Sequence, residues 1–165
     1  MRKIIVCAME SEAEHLRELG FDVYVTGVGV LNVVRTIGAL LSIGKILPTD
    51  QIINVGYAGS TVFSVGEVVS VRKCRRYKQP KAIKENEFFL KTIKGCKKAI
   101  CLTADDFVED EARYQAVDME LAYICTLFDN VISLKIISDN GDYLQYEDFS
   151  DAEAWKRVGL ILKGL

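Results

Sequence analysis

Lys3-Ile4-Ile5-Val6-Cys7-Ala8-Met9-Glu10-Ser11-Glu12 is the stretch that decides how the rest of the chain is read. The unbroken apolar run from Lys3 to Ala8 has the pattern of a strand buried on both faces. The acidic residues that follow suit the first turn of a helix, where carboxylates offset the macrodipole, and Gly20 stops that helix over Glu10 to Leu19. A strand followed at once by a helix is the opening unit of an α/β fold.

Outward from this unit the alternation continues. Phe21 to Val25 is β-branched and aromatic, Gly27-Val28-Gly29 makes a turn, and Asn32 to Ile43 reads as an apolar helix ending at Gly44. Gln51 to Val55 is a third buried strand, running into Gly56-Tyr57-Ala58-Gly59, and Gly66 to Val71 alternates like another. Arg72 to Lys98 is the most basic and least periodic part, and its Arg72 to Lys84 portion reads as a solvated loop. One helix is expected in it, around Phe88 to Ile93. Ala99 to Thr103, Gln115 to Phe128 and Val131 to Ser138 read as strand, helix, strand, and a last helix covers Asp148 to Leu162. The pattern predicts an α/β three-layer sandwich with a mostly parallel mixed central sheet, in a single domain over residues 1–165. No internal repeat or linker interrupts it.

Composition narrows the function. Half of the 165 residues are hydrophobic, 27% are charged and only two are proline, which excludes a disordered or low-complexity chain. The net charge of -2 is far from the basic balance that phosphate-gripping domains carry, so no nucleic-acid partner is expected. Five cysteines without a CxxC pair, and His15 as the only histidine, make neither a disulfide framework nor a zinc site. The apolar start is too short for a signal peptide, and no stretch approaches the ~20 apolar residues of a membrane span. The expectation is a reduced, cytoplasmic protein with no membrane partner.

Ligands of open parallel sheets bind beyond the carboxyl ends of the strands. Five such ends here carry distinctive groups: Ala8 to Glu12, Gly27 to Gly29, Gly56 to Gly59, Ala104-Asp105-Asp106-Phe107 and Ile137-Ser138-Asp139-Asn140. If the strands are parallel, these tips converge on one rim of carboxylates, close-approach glycines and an aromatic face. There is no Gly-x-Gly-x-x-Gly and no Walker lysine, so dinucleotide and nucleoside-triphosphate sites fail at the motif level. Singly, each feature has a structural explanation. Glu12 and Glu120 fit helix starts, Asp139 before Asn-Gly fits a turn, and Phe107 fits a core.

Their order in one chain is what points to a function. Ala-Met-Glu-x-Glu, Gly-Val-Gly, Ile-Ile-Asn-x-Gly-x-Ala-Gly, Val-Asp-Met-Glu and Ile-Ser-Asp-Asn resemble the nucleoside phosphorylase superfamily, in particular its methylthioadenosine/S-adenosylhomocysteine nucleosidase branch. The resemblance covers residues 1 to 16, 26 to 38, 50 to 71 and 99 to 150. It implies a phosphorylase/hydrolase-like fold and a purine nucleosidase, one that cleaves the N-glycosidic bond of a 5′-substituted adenine nucleoside. Glu12 matches the carboxylate that deprotonates the attacking water, and Asp139 the acid that protonates the purine at N7. Glu120 matches the group that grips the ribose hydroxyls, and Met119 the side chain packed on the sugar. Phe107 and Val108 match the residues against the base, Met9 and Val28 apolar neighbours of the sugar and its 5′ substituent, and Ser138 the residue beside the acid. No metal or organic cofactor is implied; the implied partners are a small purine nucleoside and a second copy of the chain, as a homodimer.

The chain also departs from that family. It is shorter, with little between the first helix and the second strand and a trimmed stretch after Val71. Tyr57 stands where a serine is usual, bringing a bulky ring near the sugar, and Asp118 replaces a glutamate. Asn54 stands where the phosphorylases carry a phosphate-binding arginine, which favours water as nucleophile. Two further functions stay open at this point: futalosine hydrolysis in menaquinone synthesis, and a non-catalytic nucleoside-binding paralogue.

Overall fold

The computed structural model describes residues 2–78, 87–108 and 113–165. Its strands are β1 (Lys3–Cys7), β2 (Val23–Val25), β3 (Gln51–Gly59), β4 (Val68–Arg76), β5 (Glu87–Phe89), β6 (Lys97–Thr103), β7 (Ala116–Asp118) and β8 (Val131–Asp139). The helices are α1 (Glu10–Glu18), α2 (Val30–Ser42), α3 (Leu121–Leu127), α4 (Tyr143–Glu147) and α5 (Ala152–Lys163). All eight strands join one sheet.

β1, apolar from Ile4 to Cys7, sits between β2 and β3 and is parallel to both, with Ile5 opposite Val23 and Ile53. β3 pairs in parallel with β8, from Ile52 opposite Val131 to Ala58 opposite Ile137. β8 then pairs antiparallel with β4, β4 parallel with β6, and β6 parallel with β7. β7 returns to β3, antiparallel, with Val117 opposite Gly59. Five strands thus close on themselves in the order β3, β8, β4, β6, β7, with β1 and β2 continuing the sheet beyond β3 and β5 added to β4.

Successive residues of β3 feed two cores. Ile52 and Ala58 pack with Val33 and Ile37 of α2 and with Leu121 and Ile124 of α3. Ile53 and Val55 pack on the other side with Leu16 of α1 and with Trp155, Val158 and Leu162 of α5. Two apolar faces on one sheet account for the helix–sheet–helix layering, each buried aliphatic side chain contributing ~1.5–3 kcal/mol relative to its exposed state.

Several sequence expectations need correction. β4 and β6 run against β1, β3 and β8, so the rim is not made of parallel tips alone. Val117 nevertheless lies opposite both Gly59 and Leu102, which brings the end of β6 beside the end of β3. Residues 56–59 lie inside β3 rather than beyond it. Phe88 belongs to strand β5, paired through Cys74 with β4, and not to a helix. The helix expected from Gln115 begins only at Leu121, because Ala116 to Asp118 are taken as the bridge between β3 and β6. Of the basic segment, β4 extends through Arg76, while residues 79–84 lie outside the described residues.

Candidate active site

Glu12 is the third residue of α1, and its carboxylate folds back over the helix start. Oε2 accepts from the backbone N–H groups of Ala8 and Met9, both at 2.9 Å, and Oε1 accepts from Tyr57 N–H at 2.9 Å. Residue 56 has to be glycine-sized for this, since a Cβ there would stand 2.8 Å from Glu12 Oε1. Burial pushes the Glu12 carboxyl above the usual carboxylate range, and the three amide donors and nearby Lys135 pull only partly the other way. A carboxylate so placed is fixed in orientation and more basic than one in water.

Asp139 ends β8. Its Oδ2 accepts from Ser138 Oγ at 2.7 Å and its Oδ1 from Gly141 N–H at 2.9 Å. Here too a glycine makes the room, because a Cβ on Gly59 would lie 2.7 Å from Asp139 Oδ1.

Glu120 immediately precedes α3 and reaches across to the turn before α2. Gly29 N–H donates to Glu120 Oε1 at 2.9 Å, and Gly29 is in the left-handed region (φ 82°) that residues with a Cβ rarely adopt. Burial, then the neighbouring Asp118 charge, push the Glu120 carboxyl up to about 7. Asp118 itself is enclosed: Thr103 Oγ1 donates at 2.7 Å, Leu121 N–H at 3.0 Å, and Lys135 Nζ stands 2.7 Å away. Both side chains of that ion pair are buried. Burial alone would lower the Lys135 ammonium, but Asp118 and Glu120 outweigh it and the net shift is upward, so Lys135 stays charged.

These groups surround one cavity of about 290 Å³, close to the lower end of the ~300–1,000 Å³ typical of small-molecule sites. All ten candidates line it: Glu12 and Asp139, with Met9, Val28, Tyr57, Phe107, Val108, Met119, Glu120 and Ser138. Glu12, Asp106, Asp118, Glu120 and Asp139 supply five carboxyl groups, whereas among the described residues no lysine, arginine or histidine lines it. Asn54 does not line it either; its side-chain oxygen accepts from Ser133 Oγ at 3.0 Å.

The sequence did not single out Tyr143 and Tyr146 of α4, which complete an aromatic wall. Phe107 meets Tyr143 edge-on at 5.3 Å and Tyr146 at 5.8 Å, and Tyr146 Oη donates to Met9 Sδ at 3.3 Å. Burial, then the Glu12 charge, push the Tyr146 phenol up to about 12, leaving it a neutral donor. A signal was available. Asp142 caps α4 by accepting from Leu144 and Gln145 N–H, and two tyrosines three apart after a capping aspartate share one helix face.

Solved structures share this architecture. The methylthioadenosine/S-adenosylhomocysteine nucleosidase of Neisseria meningitidis, in complex with methylthio-immucillin-A, matches with a TM-score of 0.80 and 19% identity, covering 100% of both chains. The futalosine hydrolase of Helicobacter pylori matches at 0.79 and 18%, covering 99% of this chain and 98% of that one. The S-adenosylhomocysteine nucleosidase of Streptococcus pyogenes matches at 0.77 and 20%, covering 98% and 94%. No protein-family profile and no curated protein matches the chain by sequence. The closed, mixed sheet with helices on both faces is the fold of these nucleosidases.

Proposed function

We propose that this chain, acting as one domain, is a purine nucleosidase that hydrolyses the N-glycosidic bond of methylthioadenosine or S-adenosylhomocysteine to adenine and the ribose derivative. The observation that carries the reading is that Glu12, Glu120 and Asp139, from three separate elements, face one cavity among apolar and aromatic side chains. Cleavage of an N-glycosidic bond passes through a cation-like sugar, for which carboxylates provide stabilisation and water activation. Glu12, raised in pKa and held by three amides, takes the proton from the attacking water. Glu120 accepts charge-assisted hydrogen bonds from the ribose hydroxyls, which are stronger than neutral ones. Asp139 delivers a proton to the departing purine, a contribution of roughly 10²–10⁴-fold. Phe107 offers its ring to the base, and Met119, Met9 and Val28 pack the sugar and its substituent. Phosphate, a dianion, has no cation to meet among the described residues of this lining, which supports hydrolysis over phosphorolysis.

The same reading includes a homodimer, a cytoplasmic location and a place in methionine salvage. Val28 at the cavity and Leu31 and Val34 on α2 form an exposed apolar strip that a second copy would cover. The cysteines are free and no described helix is long and apolar enough to cross a membrane.

The test is adenine release from methylthioadenosine, with and without phosphate, by the wild type and by Glu12→Gln. Phosphate-independent release that is lost in the variant supports the reading. Release from futalosine alone would reassign the substrate, and turnover of neither would leave a nucleoside-binding protein without catalysis.

A further inference from the structure

Tyr57 is placed unusually for a residue of the cavity wall. Its backbone N–H holds Glu12, while its side chain turns toward the core between α1 and α5. There Trp155 Nε1 donates to Tyr57 Oη at 2.9 Å. The Tyr57 ring stands edge-on to Trp155 at 5.6 Å and to Phe149 at 5.2 Å, and Trp155 is stacked on His15 at 5.0 Å. Trp155 itself is fully buried and does not line the cavity.

The Tyr57 ring lies against α5, where its hydroxyl accepts the indole N–H bond, and not across the cavity toward Met9 and Tyr146. We infer that Trp155 is a positioning residue for substrate size, pinning the Tyr57 ring to the wall and so keeping open the part of the cavity between Tyr57, Met9 and Tyr146. The inference rests on the nucleosidase reading and assigns this part of the cavity to the 5′ substituent. An apolar substituent suits it, since the Tyr57 and Tyr146 rings and the Met9 thioether line it.

Trp155→Phe keeps a large ring in the core and removes only the donor. With the bond gone, the Tyr57 ring competes with a bulky substituent but not with a bare 5′-hydroxyl. The variant is expected to raise KM for methylthioadenosine about fivefold, the factor that one net hydrogen bond of ~1 kcal/mol supplies, with KM for adenosine and kcat for both unchanged. Adding Tyr57→Phe to Trp155→Phe should cost no further discrimination, because the two changes break the same bond. Calorimetric titration of both nucleosides into wild type and variants reads the same preference without turnover. Equal losses for both nucleosides, or strictly additive losses in the double variant, would overturn the positioning role while leaving the nucleosidase reading intact. Wild type that binds neither nucleoside would overturn both.

Discussion

A Cβ at residue 56 would stand 2.8 Å from Glu12 Oε1, so the strand beneath the carboxylate and the carboxylate itself form one fitted unit. Gly56 lies in extended β3, where alanine has no backbone penalty, and what it meets is a carboxylate held by amides on both oxygens. Gly56→Ala is therefore expected to shift Glu12 and lower kcat for adenine release by about 10²-fold, the cost of a misplacement near 1 Å. Thermal melting alongside the kinetics checks that the fold persists. Unchanged turnover would show that Glu12 does not depend on its seat.

Asp139 has donors on both oxygens, Ser138 Oγ and Gly141 N–H. Asp139→Asn can keep both contacts by turning its NH₂ to the Ser138 hydroxyl, which can accept, so the change mainly removes the acid. Turnover of methylthioadenosine should fall by roughly 10²–10⁴-fold, the usual worth of a positioned acid. A smaller loss would assign purine protonation to another group.

Glu120 gives a pH dependence with a definite sign. With its carboxyl at about 7, it is an anion above neutrality and a neutral acid below it. Methylthioadenosine affinity should rise between pH 6 and pH 8 and become flat in Glu120→Gln. Stability runs the opposite way, since a carboxyl raised on folding contributes below its ordinary pKa and that contribution is lost as pH rises through about 7. The melting temperature of Glu120→Gln relative to wild type should therefore increase from pH 5 to pH 8.

Lys135 and Asp118 make a fully buried pair at 2.7 Å. Removing one partner strands the other charge away from water, so Lys135→Met should lower stability by ~3–5 kcal/mol. Restoring balance with Asp118→Asn should recover part of this, measured as the denaturant midpoint. Equal midpoints for the two variants would mean that the pair does not act as a unit.

The sequence made β1 legible through its apolar run, and α1 and α2 because each combines a helical pattern with a glycine stop, Gly20 and Gly44. The central strands were legible only in part. Ala116 to Asp118 are three buried residues continuous with an apolar helix, and only their partners Gly59 and Leu102 make them a strand. Nothing local distinguishes the direction of β4, which is decided by distant pairing with β8 (Val68 opposite Ile136, Ser70 opposite Leu134), or that of β6, which follows β4 in parallel. At the site, all ten candidate residues line the cavity, whereas Tyr143 and Tyr146 belong to a five-residue helix whose one sequence signal is the capping Asp142 with two tyrosines three apart.

Glu12 is gripped by main-chain N–H groups alone, and Glu120 and Asp139 each take one as well. Any amino acid other than proline supplies such a donor. A lineage can therefore exchange most of its alphabet around these three acids and keep their orientation, provided the chain path and a few glycines persist. That arrangement fits a chain that overlays the nucleosidases along nearly its whole length while four residues in five differ. Likeness of this kind is carried by the trace of the backbone, and it outlasts the spelling.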